Sequence, residues 1–343
     1  MKIFKSEQVK IIDQYTIENE PIPSIMLMER AANAFVNWFM KEFDVSHPVL
    51  VIGGPGNNGG DAFAIARMLF QRNYSVRAGL AKFTDKLSDD CRENLHYWNQ
   101  ENSDFFFELE DEKDFPEVQD NEIIIEGIFG SGLTRPVKGL PAQIIEKINR
   151  SNSSVVSVDI PSGLRGEGIA NEKNGAVIHA NYTISFQFPF LSFFFAENEL
   201  FIGTWKIVPI GLHEEIIEKL ESEYSLISPG LVKSTLKDRK KFSHKGSFGH
   251  TLIIAGSPGM SGAAVLSAKA CIRTGSGLTT VHIPGSLNPI VQISVPEALT
   301  SIDKSESVFT ELPDLTPYHV IAAGPGIRNN TDTQTALLQL IES

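Results

Sequence analysis

The stretch VIGGPGNNGGDAFAIARML, residues 51–69, places glycines, two amides and a carboxylate at the end of an apolar run. Gly54, Gly56 and Gly59 satisfy G-x-G-x-x-G, the spacing that lets backbone approach a dinucleotide pyrophosphate. That reading also requires an acidic residue at the end of the next strand to hold a ribose. The next apolar run, VRAGLAKF, ends without one. A Walker phosphate loop fails as well, because no Lys-Ser or Lys-Thr follows the last glycine. Asn57, Asn58 and Asp61 instead add side-chain oxygens beside bare backbone, which suits a hard cation or a polar, neutral ligand. A helix is expected from Asp61 onward, so the preceding loop would also turn free N–H groups toward an anion.

Two further stretches carry comparable chemistry. EGIFGSGLTRP brings Glu126, Gly130 and Arg135, and VDIPSG brings Asp159 and Ser162. Each residue taken singly has an ordinary structural use: Asn57 and Asn58 shaping a turn, Asp159 capping a helix, Ser162 solvated. Together they follow successive apolar runs, and in open α/β sheets ligands bind beyond the carboxyl ends of the strands.

The elements that must position these loops alternate. After amphipathic helical patterns over the first residues and over 25–43, strands are expected at 48–54, 75–81, 122–127, 154–161 and 182–188, with helices at 61–72 and 140–148. Short apolar runs separated by helices indicate strands buried on both faces of a parallel, doubly wound sheet. WKIVPIGL closes this unit near residue 212; a charged segment, 213–245, reads as a linker; and the pattern restarts with HTLIIAGSPG, GLTTVHIP and HVIAAGPG. Three strands with an open apolar edge make only the beginning of a sheet, so the chain is expected to be cut short at Ser343.

Bulk properties narrow the function classes. A net charge of −12 opposes nucleic-acid and anionic lipid surfaces. The most apolar run, FQFPFLSFFF, is too short for a membrane span and contains a proline, so it reads as core. Cys91 and Cys271 lie far apart without a C-x-x-C, each read as a small buried apolar side chain, and the N-terminus has no signal-peptide pattern; a cytoplasmic location is expected.

GGPGNNGGDAFAIARML, EGIFGSGLTRPV and VDIPSG, with the upstream SEQVKIIDQYTIENEPIPSIMLMERAA, resemble the NAD(P)H-hydrate epimerase family over residues 1–212. SHKGSFGHTLIIAGSPGMSGAAVLSAKACIRTGSGLTTVHIP and AAGPGI, within 246–343, resemble the start of the ADP- or ATP-dependent NAD(P)H-hydrate dehydratases. The whole chain therefore resembles the bifunctional nicotinamide-nucleotide repair enzymes. The resemblance implies a Rossmann-like sheet with a helical N-terminal extension, followed by a partial ribokinase-like α/β domain.

It also implies a substrate, NADH or NADPH hydrated at C6 of the nicotinamide ring, whose R and S forms the first domain interconverts. The second domain would dehydrate the S form with ADP or ATP and Mg2+. Carried onto this sequence, Asn57, Asn58, Gly59, Gly60 and Asp61 would line the substrate. Gly130, Ser131, Gly132, Leu133, Thr134, Arg135 and Pro136 would cradle its phosphates. Asn58, Glu126 and Ser162 would hold K+, and Asp159 would contact the substrate near the ring. Ala263 and Gly326 would be contacts in the second domain. Three positions depart from the family pattern: Glu126 replaces the usual Asp, Ala62 a glycine, and Phe190 a lysine.

Chemically, the ring-nitrogen lone pair can expel the C6 hydroxyl, and water can return from the opposite face. A carboxylate can protonate the leaving group and activate the water, a role that falls to Asp159. His244 reads as structural, and Lys245, Gly246 and Gly249 as either a phosphate contact or a solvated turn. The dehydratase family's nucleotide segment and catalytic aspartate would lie beyond Ser343, so the chain as it stands is not expected to dehydrate. The alternative is a non-catalytic module that binds nucleotides or a protein partner, and the N-terminal helices offer a surface for homo-oligomers.

Overall fold

The computed structural model describes residues 1–170, 175–236 and 238–343, which divide into two compact units, Met1–Lys233 and Ser234–Ser343. A short strand, β1 (Lys2–Ile3), leads into two helices, α1 (Ser6–Asn19) and α2 (Ser24–Glu42). Leu27, Met28, Ala31, Ala32, Phe35, Val36 and Phe39 recur at helical spacing on α2 and are buried. Strand and helix then alternate as β2 (Val49–Gly53), α3 (Asn57–Phe70), β3 (Val76–Ala81), α4 (Asp89–Asn102), β4 (Phe106–Leu109), β5 (Ile123–Gly127), α5 (Leu140–Arg150), β6 (Val155–Val158), β7 (Tyr182–Phe186), α6 (Glu199–Ile202) and β8 (Thr204–Val208).

The strands form one parallel sheet in the order β4-β3-β2-β5-β6-β7-β8. Every residue of β2, β5 and β6 is buried, because helices cover both faces. Val49, Val51, Ile123, Ile125 and Val156 pack on one side with α2, α3 and α4; Leu50, Ile52, Ile124 and Val155 pack on the other with Ile144, Ile145 and Ile148 of α5. Connections run outward from β2 in both directions, so the order reverses between β2 and β5 and a crevice opens beyond their carboxyl ends.

The apolar run after β7 is largely core, as expected, with Phe188, Phe190 and Phe193 buried and Phe194 exposed. Phe190, read as standing where the family carries a lysine, packs with Phe193, Ile160 and Leu164.

The segment read as a linker, 213–245, belongs in its first part to the first unit. It contains α7 (Glu214–Lys219), β9 (Tyr224–Ser225) and α8 (Pro229–Thr235). Ile216, Ile217 and Leu220 pack with Phe4 and Ile12, β9 pairs antiparallel with β1, and the Lys2 ammonium donates to the Ile217, Glu218 and Leu220 carbonyls. Its charge pattern concealed this small apolar face.

The second unit contains β10 (His250–Ile254), α9 (Ser261–Thr274), β11 (Leu278–Ile283), α10 (Asn288–Ser294), β12 (Leu299–Ile302), β13 (Val320–Ala323) and α11 (Thr331–Glu342). Four parallel strands run in the order β12-β11-β10-β13, one more than expected. The addition, LTSI, was hidden because none of its residues is buried. Lys245–Phe248 form a 3-10 turn headed by His244. Cys91 is buried and Cys271 only partly so.

Candidate active site

The glycine-rich stretch folds differently from the loop expected of it. Helix α3 begins at Asn57, not Asp61, with Gly56 as an N-cap that provides no side-chain acceptor. Gly60 N–H already bonds the Gly56 carbonyl, so the unsatisfied N–H groups belong to the residues just before it. Gly59 and Gly60, read as substrate contacts, are packing positions on the buried side of α3. A Cβ on Gly59 would stand 1.7 Å from the Gly54 carbonyl oxygen, and one on Gly60 2.8 Å from the Met28 sulfur. Gly127 and Gly130 serve the same close approach from the other side, each within contact of Asn58.

Above the β2/β5 crevice lies a cavity of about 700 Å³. Of the residues read from sequence, Asn57, Asn58, Asp61, the loop 130–135 and Asp159 line it. Pro136 does not: it borders a separate cavity with Arg165 and Val177. Glu126 and Ser162 are fully buried and do not reach the cavity lining.

Asp159 follows β6 at φ +65°, a left-handed backbone that aspartate tolerates better than most side chains. Its carboxylate accepts from Phe186 N–H at 3.2 Å and Ser185 Oγ at 3.4 Å. Burial pushes its pKa up to about 6, against the lowering effect of these two bonds.

Two more carboxyls line the cavity with it. Asp61 projects from the first turns of α3, and burial, reinforced by the charges of Asp159, Asp13 and Asp90, holds it well above the usual carboxylate range. Asp13 comes from α1 and was missed in the sequence. Burial and then the Asp159 charge push it up to about 7. The signal was present: Val9, Asp13 and Ile17 occupy successive i, i+4 positions, so a carboxylate interrupts an apolar stripe. What the sequence did not give is that α1 lies over the strand ends. Lys10, one turn earlier, also lines the cavity, and its Nζ stands 3.5 Å from where a Gly132 Cβ would be. Asp13, Asp61, Asp159, Lys10 and Arg135 make no ion pair among the described residues.

The shift of Asp13 has a consequence for stability. A carboxyl whose pKa is higher in the folded state keeps its proton more tightly there, so stability falls as pH rises from about 4 to about 7. Asp13→Asn is expected to stabilise the first unit by about 2 kcal/mol at pH 8, after discounting for water in the cavity, and by almost nothing at pH 4. Urea unfolding followed by tryptophan fluorescence checks this selectively, since Trp38, Trp98 and Trp205 all lie in that unit. Equal effects at both pH values would contradict it.

Beneath the cavity, the Glu126 carboxylate accepts from Ser157 Oγ (2.5 Å), Ser162 Oγ (2.5 Å), Ser162 N–H (3.0 Å) and Ile128 N–H (3.4 Å). Burial raises its pKa and these bonds oppose the rise. Asn58 donates its amide to the Phe129 and Val158 carbonyls at 3.0 and 3.2 Å. Glu126 is thus a fully buried carboxyl without a cationic partner among the described residues, surrounded by neutral oxygens. This donor set fits a monovalent cation, with one formal negative charge and hard oxygen ligands; the Asn58 amide would have to turn its oxygen inward. No cluster of His, Cys, Asp or Glu among the described residues could hold a metal by itself.

In the second unit the two residues singled out from sequence meet: a Cβ on Gly326 would stand 3.1 Å from the Ala263 Cβ. Gly326 adopts φ +75°, and its carbonyl accepts from Ser257 Oγ at 2.7 Å. Both lie beyond the ends of β10 and β13, where the second sheet reverses its order.

A doubly wound parallel sheet, with a carboxylate-lined cavity at its switch point and a helical extension over the strand ends, defines a small-molecule enzyme class of α/β fold. Residues 24–191 match the family described as YjeF-related protein N-terminus, and residues 251–343 match NAD(P)H-hydrate dehydratase. The NAD(P)H-hydrate epimerase of Oenococcus oeni is 32% identical over 61% of this chain and 96% of its own length. The bifunctional NAD(P)H-hydrate repair enzyme of Moorella thermoacetica is 27% identical over 99% of this chain and 67% of its own. A crystal structure of a yeast protein, YNL200c, shares the fold with a TM-score of 0.54 at 20% identity, covering 67% of this chain and 98% of that one. The chain belongs to the NAD(P)H-hydrate epimerase family, joined to a dehydratase-family segment as in the bifunctional repair enzymes, and spans about two thirds of those relatives' length. No helix among the described residues is long and apolar enough to cross a membrane.

Proposed function

We propose that the first unit interconverts the R and S forms of hydrated NADH or NADPH. The observation that carries this reading is Asp159: a carboxyl poised near neutrality by burial, held at a left-handed backbone position and aimed into the cavity at the sheet's switch point. A pure binding site has no need of an acid–base group tuned in this way. The hydrated ring would sit among Asp159, Asp61 and Asn57. The phosphates would lie along 130–135, where Arg135 and Lys10 carry unpaired positive charge. Asp159 donates a proton to the departing C6 hydroxyl in one direction and withdraws one from the entering water in the other. Incubating the separated R epimer with the chain should make S appear faster than it does spontaneously, as read by chromatography. An unaltered rate would contradict the proposal.

Asn58, Glu126 and Ser162 would hold K+, which would fix the 127–130 turn and supply a weak positive field beside the substrate. Exchanging tetramethylammonium chloride for KCl at constant ionic strength is therefore expected to raise the thermal midpoint of tryptophan fluorescence by a few degrees, and Glu126→Gln to lose most of that rise. Equal midpoints in the two salts would remove the cation from the account.

The second unit would contribute Ala263 and Gly326 to a dehydratase that consumes ADP or ATP with Mg2+. Dehydration by the complete enzyme would then remove S while the first unit replenishes it from R.

A further inference from the structure

Inversion at C6 sets a requirement that one carboxyl does not meet. The hydroxyl leaves from one face of a near-planar ring and water returns to the other, so a proton must be given on one face and taken on the opposite one. Asp159 stands at the strand-end floor of the cavity. Helix α1 lines the same cavity, and its carboxyl there is Asp13, near enough for the Asp159 charge to act on it.

We propose that Asp13 is the second catalytic acid–base group, serving the ring face opposite to Asp159. This inference rests on the epimerase reading. In one direction, protonated Asp159 gives its proton to the C6 hydroxyl as the C6–O bond breaks. Water departs, and the ring-nitrogen lone pair becomes the N–C6 π bond. A second water on the α1 side forms the new C6–O bond and loses a proton to the Asp13 carboxylate, while the π electrons return to nitrogen. The net change is inversion of C6 and transfer of one proton from Asp159 to Asp13; the reverse reaction runs from protonated Asp13.

The surroundings suit this division. Asp13 has no hydrogen-bond or ion-pair partner among the described residues, so its carboxylate is free to accept from water. The charges of Asp13 and Asp159 disfavour each other, which favours the singly protonated pair that the cycle needs. The other groups facing Asp13 are occupied or remote from the task. Burial, with the charges of Asp159, Asp13 and Asp90, raises Asp61 above the usual carboxylate range and favours its acid form, Asp90 accepts from Ser24 Oγ at 2.8 Å, and Lys10 stands beside the 130–135 loop.

Oxygen-18 water tests the pair on the full-length chain, with the epimers separated and their hydroxyl label read by mass spectrometry. The wild-type chain should produce an inverted product that carries solvent oxygen. Asp13→Asn should slow interconversion by about 100-fold or more. It should still exchange label with retention in the epimer whose hydroxyl faces Asp159, because one carboxyl can serve one face in both directions. That surviving exchange also certifies a folded site, and Asp13→Glu should recover part of the lost inversion. Three results would overturn the pair: wild-type inversion without label, Asp13→Asn inverting within about threefold of wild type, or folded Asp13→Asn losing exchange together with inversion. The first needs no variant and leaves the epimerase reading intact; a wild-type chain without any interconversion would overturn that reading, and the pair with it.

Discussion

Asp159→Asn is expected to lower the turnover of R and S interconversion by about 10²–10⁴-fold while substrate affinity stays near the wild-type value. The magnitude is that of a positioned acid–base group, and the split between turnover and binding follows from its role. The amide keeps the volume and can still accept from Phe186 N–H, but it has no proton to exchange at neutral pH. Asparagine is also the substitution that leaves the backbone in place, since it tolerates the φ of +65° found here. Alanine at the same position would add backbone strain to the loss of the carboxyl, confounding the two effects. Single-turnover kinetics and equilibrium binding of the hydrate would separate them. Turnover within a few-fold of wild type would take Asp159 out of the chemistry.

Gly59→Ala is expected to cost the first unit at least about 3 kcal/mol of stability, the upper range of overpacking effects, because the obstacle is backbone on both sides. The new Cβ would stand 1.7 Å from the Gly54 carbonyl oxygen, and Gly54 is itself pinned, its N–H bonded to the Gly127 carbonyl at 3.0 Å. Relieving the clash would push α3 away from β2 and β5, moving Asn58 and Asp61 off the site. Gly56→Ala provides the matched control: nothing lies within 4 Å of its added Cβ, and it should cost about 1 kcal/mol or less. Urea denaturation followed by tryptophan fluorescence distinguishes them, and similar midpoints for the two variants would refute the packing role assigned to Gly59.

These two glycines show where the sequence was legible and where it was not. The motif was visible, and so was the alternation that makes a parallel sheet, because strands buried on both faces leave uninterrupted runs such as VLVIG and IIIEG. The purpose of each glycine was not visible. A glycine that admits a ligand and one that admits a neighbouring backbone look alike in one dimension, and Gly59 and Gly60 proved to be of the second kind. Helix α4 was overlooked for a related reason. Its sequence, DDCRENLHYWNQEN, is mostly polar, and its buried stripe of Cys91, Asn94, Leu95, Trp98 and Asn102 is narrow and interrupted by two amides, so the apolar periodicity is faint. Asp159, Asp61 and Asn58 were readable as candidates because strand ends in such sheets converge by topology. Asp13 was not, because it lies 45 residues before Asn58 on a helix whose docking over those ends only packing decides. Glu126 was read as a cation ligand, and its carboxylate lies under the cavity, accepting from the Ser157 and Ser162 hydroxyls.

The central claim is that the first unit catalyses epimerisation, and one time course tests it most directly. A mixture of R and S hydrates is treated with excess S-specific dehydratase while the regenerated reduced nicotinamide is followed by absorbance. With the dehydratase alone, S disappears quickly and R follows only at its spontaneous rate. Adding catalytic amounts of this chain should merge the slow phase into the fast one, in proportion to the amount added, whereas the Asp159→Asn chain should leave the slow phase as it was. A slow phase that the wild-type chain does not accelerate would contradict the account.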